Sequence, residues 1–152
     1  MAIKFIYDDG GRKEAGYNGE TGDCVVRAIA IAAQKPYQEV YDDLGLAAKE
    51  YSASHRGRVA RSIRRKGSSP RGGVFKEVYS GYLEKLGWQW TPCMAIGSGC
   101  KVHLKKEELP AGELIVSVSR HLVAVIDGVI FDLSDCSRGG TRCVYGYWRL
   151  PA

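Results

Sequence analysis

The chain has 152 residues, of which 45% are hydrophobic and 26% charged, with a formal net charge of +5 at pH 7. This composition is typical of one soluble globular domain over residues 1–152, and no apolar stretch approaches the roughly 20 residues of a membrane span. Because the first residues lack the apolar core of a secretory signal, we expect a cytoplasmic protein with no membrane partner, whose five cysteines are mostly free thiols.

The N-terminal part predicts a short strand followed by a buried helix. Residues 3–7 (IKFIY) favour a strand, and a glycine-rich polar stretch follows. Residues 24–34 are apolar almost all round, interrupted only by Arg27, which predicts a helix through the interior. Asp23, directly before this helix, is a preferred N-cap residue, so we expect its carboxylate to cap the first turn.

Two further helices are predicted in the middle of the chain. Pro36 suits the first position of one of them. Its apolar residues repeat at helical spacing: Tyr37, Val40, Tyr41 and Leu44. The other spans residues 74–86 and ends at Gly87. Its apolar stripe consists of Phe75, Val78, Tyr79, Tyr82 and Leu86.

The C-terminal half changes from a helical to an extended pattern. Valine, isoleucine and aromatic residues are concentrated in five segments: 88–90, 113–119, 121–126, 129–133 and 143–150. Asp127-Gly128, between two of these segments, is a favoured two-residue hairpin turn. We therefore predict an α+β fold, in which N-terminal helices pack on a C-terminal antiparallel β-sheet.

Positive charge is concentrated between the second and third predicted helices. Residues 55–71 contain no acidic residue and seven basic ones: Arg56, Arg58, Arg61, Arg64, Arg65, Lys66 and Arg71. Because residues 67–73 are rich in glycine and serine, we expect a basic flexible loop over about 55–73. Such a loop would attract an acidic substrate or partner, or bind nucleic acid without sequence specificity. Our candidates for substrate contacts are Arg61, Arg64, Arg65 and Trp88.

Cys24, His121 and Asp132 are a candidate nucleophile, base and orienting acid. A thiol at a helix N-terminus is poised to ionise, because the helix dipole and free backbone N–H groups favour the thiolate. With a two-residue hairpin turn, Val123 pairs with Asp132, so Asp132 lies diagonally opposite His121 on the same face. At a Cα separation of about 7–8 Å an imidazole and a carboxylate can meet. Asp135 is the alternative orienting residue if the strand end bends.

The segment Asn18-Gly-Glu-Thr-Gly-Asp-Cys24, at the start of a buried helix, resembles the nucleophile region of the papain-like cysteine peptidase superfamily. His121 and Asp132 follow in the order, and on successive strands, where that superfamily has its base and orienting residue. Residues 114–132 are similar to a segment that recurs in uncharacterised cysteine-peptidase-like proteins of phages and bacteria. The resemblance covers most of the chain and implies a papain-like fold, located in the host cytoplasm if a phage encodes it.

The resemblance implies a thiol hydrolase that cleaves a peptide, isopeptide or related amide bond. Cys24 would attack the carbonyl, His121 would protonate the leaving amine and Asp132 would hold the imidazole. The Asn18 amide and the Cys24 backbone N–H would form the oxyanion hole. No cofactor is implied. The alternatives are an acyl transferase with the same thioester chemistry and a catalytically silent module that binds through the basic loop.

The other four cysteines have two interpretations. Cys93 and Cys100 are separated by six residues, as are Cys136 and Cys143, and His103 is nearby. A structural zinc site normally uses closer pairs, so we expect free or buried thiols and no metal. In an oxidised sample a Cys93–Cys100 or a Cys136–Cys143 disulfide could form.

Overall fold

The computed structural model describes residues 3–18 and 22–151. Its helices are α1 (Cys24–Ala33), α2 (Tyr37–Ser54), α3 (Arg58–Lys66) and α4 (Lys76–Lys85), with short 3-10 turns at Pro70–Gly72 and Lys106–Glu108. Its strands are β1 (Lys4–Tyr7), β2 (Gln89–Pro92), β3 (Glu113–Val118), β4 (His121–Ile126), β5 (Val129–Asp132) and β6 (Val144–Arg149). No helix in this part of the chain is long and apolar enough to cross a membrane.

The six strands form one mixed sheet in the order β1-β5-β4-β3-β6-β2. The predicted α+β class is confirmed, and the five C-terminal strands pair antiparallel as expected. The prediction of a purely antiparallel sheet is wrong, because β1 pairs in parallel with β5. The helices lie between these two strands in the chain, and a long connection of this kind is what a parallel pair requires.

Helix α1 lies against one face of the sheet, where it contacts β3, β4 and β5. Helix α2 packs on the outer side of α1 and also contacts α3 and α4. The apolar residues that occur on all sides of α1 are therefore covered by the sheet on one side of the helix and by α2 on the other. The core on this side includes Val26, Ile29, Val40, Leu44 and Leu83. This packing fixes the start of α1 above the middle of the sheet.

The opposite face of the sheet has its own apolar layer. Leu104 and Leu109, from the long connection between β2 and β3, cover Val116, Val123 and Val125. Because β3 and β4 are covered on both faces, their residues are buried almost without alternation. The hairpin that carries His121 is thus held rigidly in the centre of the molecule.

The predicted basic loop over residues 55–73 is wrong for its first half, because residues 58–66 form α3. Ala60 and Ile63, three residues apart, are buried and lie on the same side of the helix. Ile63 packs with Ala48 of α2 and Val78 of α4. The basic residues of this helix are exposed, and arginine is a good helix former. A narrow apolar stripe is therefore enough to dock this segment.

Two of the five cysteines are joined in a disulfide, Cys100–Cys143, whose Cα atoms are 5.7 Å apart. This pairing differs from both disulfides that the sequence suggested. The connection after β2 runs back beside the start of β6, where His103 forms a β-bridge with Cys143. That bridge places Cys100, only three residues earlier, opposite Cys143. Cys24, Cys93 and Cys136 are free and partly buried.

Candidate active site

Cys24 is the first residue of α1 and is partly buried at its N-terminal end. Gly22, two residues earlier, lies against the segment that precedes α4. A Cβ atom at Gly22 would be 3.1 Å from the Gly72 carbonyl oxygen, so a side chain at this position would push the two segments apart. The glycine lets the chain enter α1 close to that segment, and the thiol lies at the junction.

The β4–β5 hairpin brings His121 and Asp132 together as the sequence predicts. Ile126 pairs with Val129, and the same register continues to Ala124 with Phe131. Asp132 directly follows Phe131, and the Nε2 atom of His121 lies 2.5 Å from an Oδ atom of Asp132. This hydrogen bond confirms the pair that the turn and the strand alternation indicated.

His121 also interacts with the Cys24 thiol, and this interaction lowers the pKa of the thiol and raises the pKa of the imidazole. Asp132 contacts the Nε2 atom of the same ring. One imidazole therefore connects the carboxylate on β5 with the thiol on α1. This is the arrangement in which a base can both activate a thiol and be held by an acid.

The environment favours the charged forms of Cys24 and His121. Burial raises the pKa of the Cys24 thiol, but hydrogen bonds from His121 and the Leu122 backbone, together with the positive charges of His121 and Arg27, lower the pKa below its usual value. Burial lowers the pKa of His121, but hydrogen bonds to Asp132, Cys136 and Cys24 raise the pKa to about 11. The geometry thus favours a thiolate–imidazolium pair over the neutral thiol and imidazole.

Asp132 is buried, with 5% of its surface exposed, and its carboxylate is fully engaged. One oxygen receives the His121 hydrogen bond, and the other accepts from Arg27 Nη1 at 2.8 Å and from the Leu133 backbone N–H at 2.7 Å. Burial raises the pKa of Asp132, but hydrogen bonding to His121 and the charges of His121 and Arg27 hold the pKa below its usual value. Asp132 is therefore an ionised partner for the imidazole.

Asp23 does not cap α1, so that prediction is wrong. Its buried carboxylate instead accepts hydrogen bonds from Arg27 Nε at 3.0 Å and from the Tyr37 hydroxyl at 2.6 Å. Arg12 Nε lies 3.1 Å from the same carboxylate. A carboxylate that is almost completely buried must be paired, and the two guanidinium groups pair it more strongly than a helix terminus can.

Arg27 is thus the centre of a buried cluster behind the candidate nucleophile. Its guanidinium joins Asp23 to Asp132, and the latter holds His121. Burial lowers the pKa of Arg27, but both carboxylates raise the pKa above its usual value. The negative charge of Asp23, which would oppose a thiolate next to it, is offset by Arg27 and Arg12. We call Arg12, Asp23, Arg27, Tyr37 and Asp132 the buried charge cluster.

A cleft of about 620 Å³ opens beside Cys24 and His121. Its lining includes residues 72–74 and residues at the turn between β3 and β4. Three aromatic residues also line it: Tyr79, Trp90 and Tyr145. Lys76 Nζ lies 5.3 Å from the Trp90 ring centroid. Burial and the Cys24 charge raise the pKa of Tyr79 to about 12, so its hydroxyl stays protonated. A peptide chain would fit in a cleft of this size.

A second thiol, that of Cys136, also lies close to the His121 imidazole. Ligand atoms of His121, Asp132 and Cys136 are all within 4.8 Å of one another, which makes this the one group in residues 3–18 and 22–151 able to hold a metal ion. The His121–Asp132 hydrogen bond already occupies one atom of each residue. A metal ion here would have to replace that bond, so the group fits a proton-transfer site better than a metal site. His103, the predicted neighbour of a zinc site, pairs with Glu108 instead.

Two further predicted site residues, Asn18 and Asp135, are exposed. Asn18 is exposed, and its backbone carbonyl accepts hydrogen bonds from Arg12 and Arg71; residues 19–21, between it and the nucleophile, are outside the described part of the chain. Asp135 is exposed and accepts from Ser137 rather than from His121. The role of Asn18 in an oxyanion hole stays a prediction.

The predicted substrate contacts are not among the residues that line the cleft. Trp88 is buried in the core with 3% of its surface exposed, while Trp90, two residues later, lines the cleft. Arg61, Arg64 and Arg65 lie on α3, and the part of the 55–73 segment that reaches the cleft is its glycine end. The expected proximity of this segment to the cleft therefore applies to Gly72 and Gly73 alone.

Arg27 and Cys136 are the site residues that the sequence interpretation missed. Arg27 is the one charged residue in an apolar helix, and a buried charge requires partners, so its isolation was a usable signal. Cys136 had no such signal, because it reaches His121 through the irregular connection after β5.

No family model, curated protein or solved structure matches this chain. The chemistry of the site is therefore argued from its own geometry.

Proposed function

We propose that this protein is a papain-like thiol hydrolase that cleaves a peptide, isopeptide or related amide bond. The position of His121 carries the proposal, since its side chain hydrogen-bonds to Asp132 and lies in the same cleft as Cys24, whose pKa it lowers; Cys24 and Asp132 are 108 positions apart in the chain. The order of the three residues, the nucleophile at the start of a central helix and the base on the sheet support the papain-like assignment.

The proposed reaction begins with the Cys24 thiolate, whose sulfur attacks the substrate carbonyl carbon. The carbonyl oxygen becomes an oxyanion, and the His121 imidazolium gives its proton to the leaving amine as the C–N bond breaks. Water, deprotonated by the now neutral His121, attacks the thioester. The acid product leaves, and the sulfur returns to the thiolate while His121 regains the proton.

Backbone N–H groups at the start of α1 would stabilise the oxyanion. The first N–H groups of a helix have no acceptor within the helix, and the side chain of Asp23 does not cap them. The Cys24 N–H is the candidate donor closest to the reacting sulfur. The Asn18 amide is the second candidate donor, as the resemblance implies.

The buried charge cluster would act on the reaction through His121. Arg27 fixes one oxygen of Asp132, so that the other oxygen is aimed at the imidazole. It also keeps Asp132 ionised, which favours the imidazolium form of His121. Arg27 is therefore a positioning residue rather than a catalytic one.

The direct test is incubation of a mixed peptide library with the protein and with Cys24→Ala, followed by mass spectrometry of the products. We expect cleavage by the native protein only, with loss of at least about 10³-fold in Cys24→Ala and in His121→Ala. Cys93→Ala is the matched control, since Cys93 is a free thiol that does not line the cleft, and this variant should cleave normally. Equal cleavage by Cys24→Ala would contradict the proposal.

A binding role for the basic segment is the second candidate function. On α3 the side chains of Arg58, Arg61, Arg65 and Lys66 form no ion pair within the described residues, which leaves their charges available to an acidic partner. Nucleic-acid binding that weakens steeply with salt and survives Cys24→Ala would favour this function. Absence of such binding, with thiol-dependent cleavage present, would favour the hydrolase alone.

A further inference from the structure

We propose that the substrate carries a carboxylate on the leaving-group side of the scissile bond, where a pocket of arginines next to His121 receives it. This inference rests on the proposed hydrolase function and names its substrate class. The pocket has a volume of about 630 Å³ and adjoins the cleft. Its lining includes Arg120, His121, Asp135, Cys136, Arg138 and Arg142, and we call it the arginine pocket.

The charges in the arginine pocket are strongly unbalanced. Asp135 is its one carboxylate against three guanidinium groups and His121, and one Asp135 oxygen is taken by Ser137. Within the described residues, Arg120 and Arg138 are exposed and form no ion pair or side-chain hydrogen bond. His121 is paired with Asp132, but an anion that entered this pocket would gain the attraction of Arg120 and Arg138, which form no ion pair within the described residues.

Arg142 forms the base of the pocket and is held in place. Its guanidinium donates to the backbone carbonyls of Ser119 and Cys136, from the two connections that border the pocket. Its Nε atom is buried and has no hydrogen-bond partner among the described residues. Arg142 is therefore a fixed cation in the lining of the pocket, and a fixed guanidinium suits the binding of a small anionic group.

The backbone gives an independent indication. Arg120 and Arg138 adopt left-handed conformations, with φ of 57° and 53°, and they are two of the four non-glycine residues with positive φ in the described chain. Such positions favour glycine or asparagine, and a long side chain there costs of the order of 1 kcal/mol. Two arginines at such positions, both facing one pocket, are unexpected if their side chains have no role.

The position of the pocket identifies the part of the substrate that enters it. His121 and Arg120 line both the cleft and the arginine pocket, whereas Cys24 lines the cleft alone. Because His121 protonates the leaving amine, the leaving group must extend from Cys24 past His121. The residues after the scissile bond would therefore reach the arginines, whose planar guanidinium groups match a carboxylate.

This carboxylate has two sources: an aspartate or glutamate side chain soon after the scissile bond, and the C-terminal carboxylate of a short leaving peptide. The test uses a peptide that the native protein cleaves in the library experiment. Four versions are compared, with aspartate or asparagine at the first two positions after the bond, each with a free or an amidated C-terminus. We expect kcat/KM at least about 10-fold higher with a carboxylate, since a charged hydrogen bond contributes about 1.5–3 kcal/mol.

The double variant Arg120→Gln, Arg138→Gln should lose this preference, so that its kcat/KM for the peptides with a carboxylate equals its kcat/KM for the uncharged, amidated asparagine peptide. The double variant Lys49→Gln, Arg149→Gln is the matched control, since it removes the same charge from exposed side chains outside both pockets. It should keep the preference. A preference that depends on aspartate indicates a side chain, and one that disappears on amidation indicates a chain terminus.

Three results overturn the inference, and they are distinguishable. If cleavage depends on Cys24 but all four peptides are cleaved equally, the pocket does not select a carboxylate and the hydrolase function stands. If Cys24→Ala cleaves the peptides as the native protein does, the hydrolase function itself fails and the inference fails with it. A preference that persists in Arg120→Gln, Arg138→Gln would also overturn it.

Discussion

Two arginine-rich regions of this molecule, the buried charge cluster and helix α3, show how differently the same residue type can behave. In the cluster, Arg27 is buried and joins two carboxylates, Asp23 and Asp132. On α3, Arg61 and Arg65 are exposed and form no ion pair within the described residues. Helix α3, the region with the most charge in the sequence, does not form the site. Arg27, the single charged residue in the apolar helix α1, instead connects the two carboxylates behind Cys24 and His121.

The difference has a physical origin. An exposed guanidinium group is already solvated and screened by salt, so its electrostatic interactions with neighbouring groups are weak. A buried one has lost its water, and its interactions with nearby carboxylates act in a low dielectric. Arg27 can therefore set the charge state of Asp132 and, through it, that of His121, whereas α3 can act only on a partner that comes to the surface.

The largest expected effect is a loss of activity on substitution of Asp132, the residue of the buried charge cluster that contacts His121. Asp132→Asn keeps the shape of the side chain but removes the charge that holds the imidazolium. In a Ser-His-Asp site the corresponding change lowers kcat about 10⁴-fold, and we expect a loss of about 10²–10⁴-fold in kcat/KM here. The assay is cleavage of a library-derived peptide. Asp42→Asn, an exposed aspartate on α2, is the control and should cleave as the native protein does.

Removal of Arg27 tests whether the buried charge cluster stabilises the fold more than the exposed arginines of α3 do. Arg27→Met leaves Asp23 and Asp132 buried without this guanidinium, and we expect the free energy of unfolding to fall by about 3–5 kcal/mol. The measurement is urea denaturation at pH 7. Arg61→Met on α3 is the matched change. A loss in Arg27→Met no larger than in Arg61→Met would show that the cluster does not stabilise the fold.

The pH dependence of the free energy of unfolding tests whether Cys24 and His121 form a charged pair. His121, with a pKa of about 11 against the usual 6.5, contributes stability that is complete below pH 6.5 and is lost as the pH rises toward 11. Cys24, whose pKa is lowered from 9.0, contributes stability that is present above pH 9 and is lost as the pH falls. Between about pH 6.5 and 9 the two changes therefore oppose each other.

Cys24→Ser should expose the contribution of His121. We expect the free energy of unfolding of this variant to fall by up to about 1.4 kcal/mol per pH unit above pH 6.5, while the native protein changes less over the same range. Denaturation series at pH 6, 7, 8 and 9 would measure both slopes. Cys93→Ser should follow the native protein, and equal slopes for all three proteins would argue against a charged pair.

The smallest expected effect is that of neutralising α3. Arg61→Gln together with Arg65→Gln should change the free energy of unfolding by less than about 0.5 kcal/mol per substitution and leave peptide cleavage unaltered. Urea denaturation and the cleavage assay would measure these two quantities. A large loss of activity would mean that α3 contacts the substrate, and the contrast between the two regions would then fail.

Local patterns predicted much of the fold and the pair at the centre of the site. The boundaries of α1 and the register of the β4–β5 hairpin depend on residues close in sequence, and two-residue alternation was enough to place Asp132 beside His121. The parallel pairing of β1 and the Cys100–Cys143 disulfide depend on where long connections lead the chain, which no local pattern contains.

The errors about charged residues have a common cause. Asp23 was predicted to cap a helix from its position next to α1, but its partners Arg12 and Tyr37 come from other segments. The basic segment was predicted as a loop from its charge and glycine content, but Ile63 docks it on α2 and α4. In both cases tertiary burial overrode a local preference.

The most direct test of the charged Cys24–His121 pair is the rate of alkylation of each free cysteine by iodoacetamide from pH 4 to 9, followed by mass spectrometry. Burial raises the pKa of Cys93, which makes it the internal reference. We predict that Cys24 reacts far faster than Cys93 at pH 6 and loses this advantage in His121→Ala. If Cys24 in the folded protein reacts no faster than Cys93 across this range, the pair is not charged and the proposed mechanism is wrong.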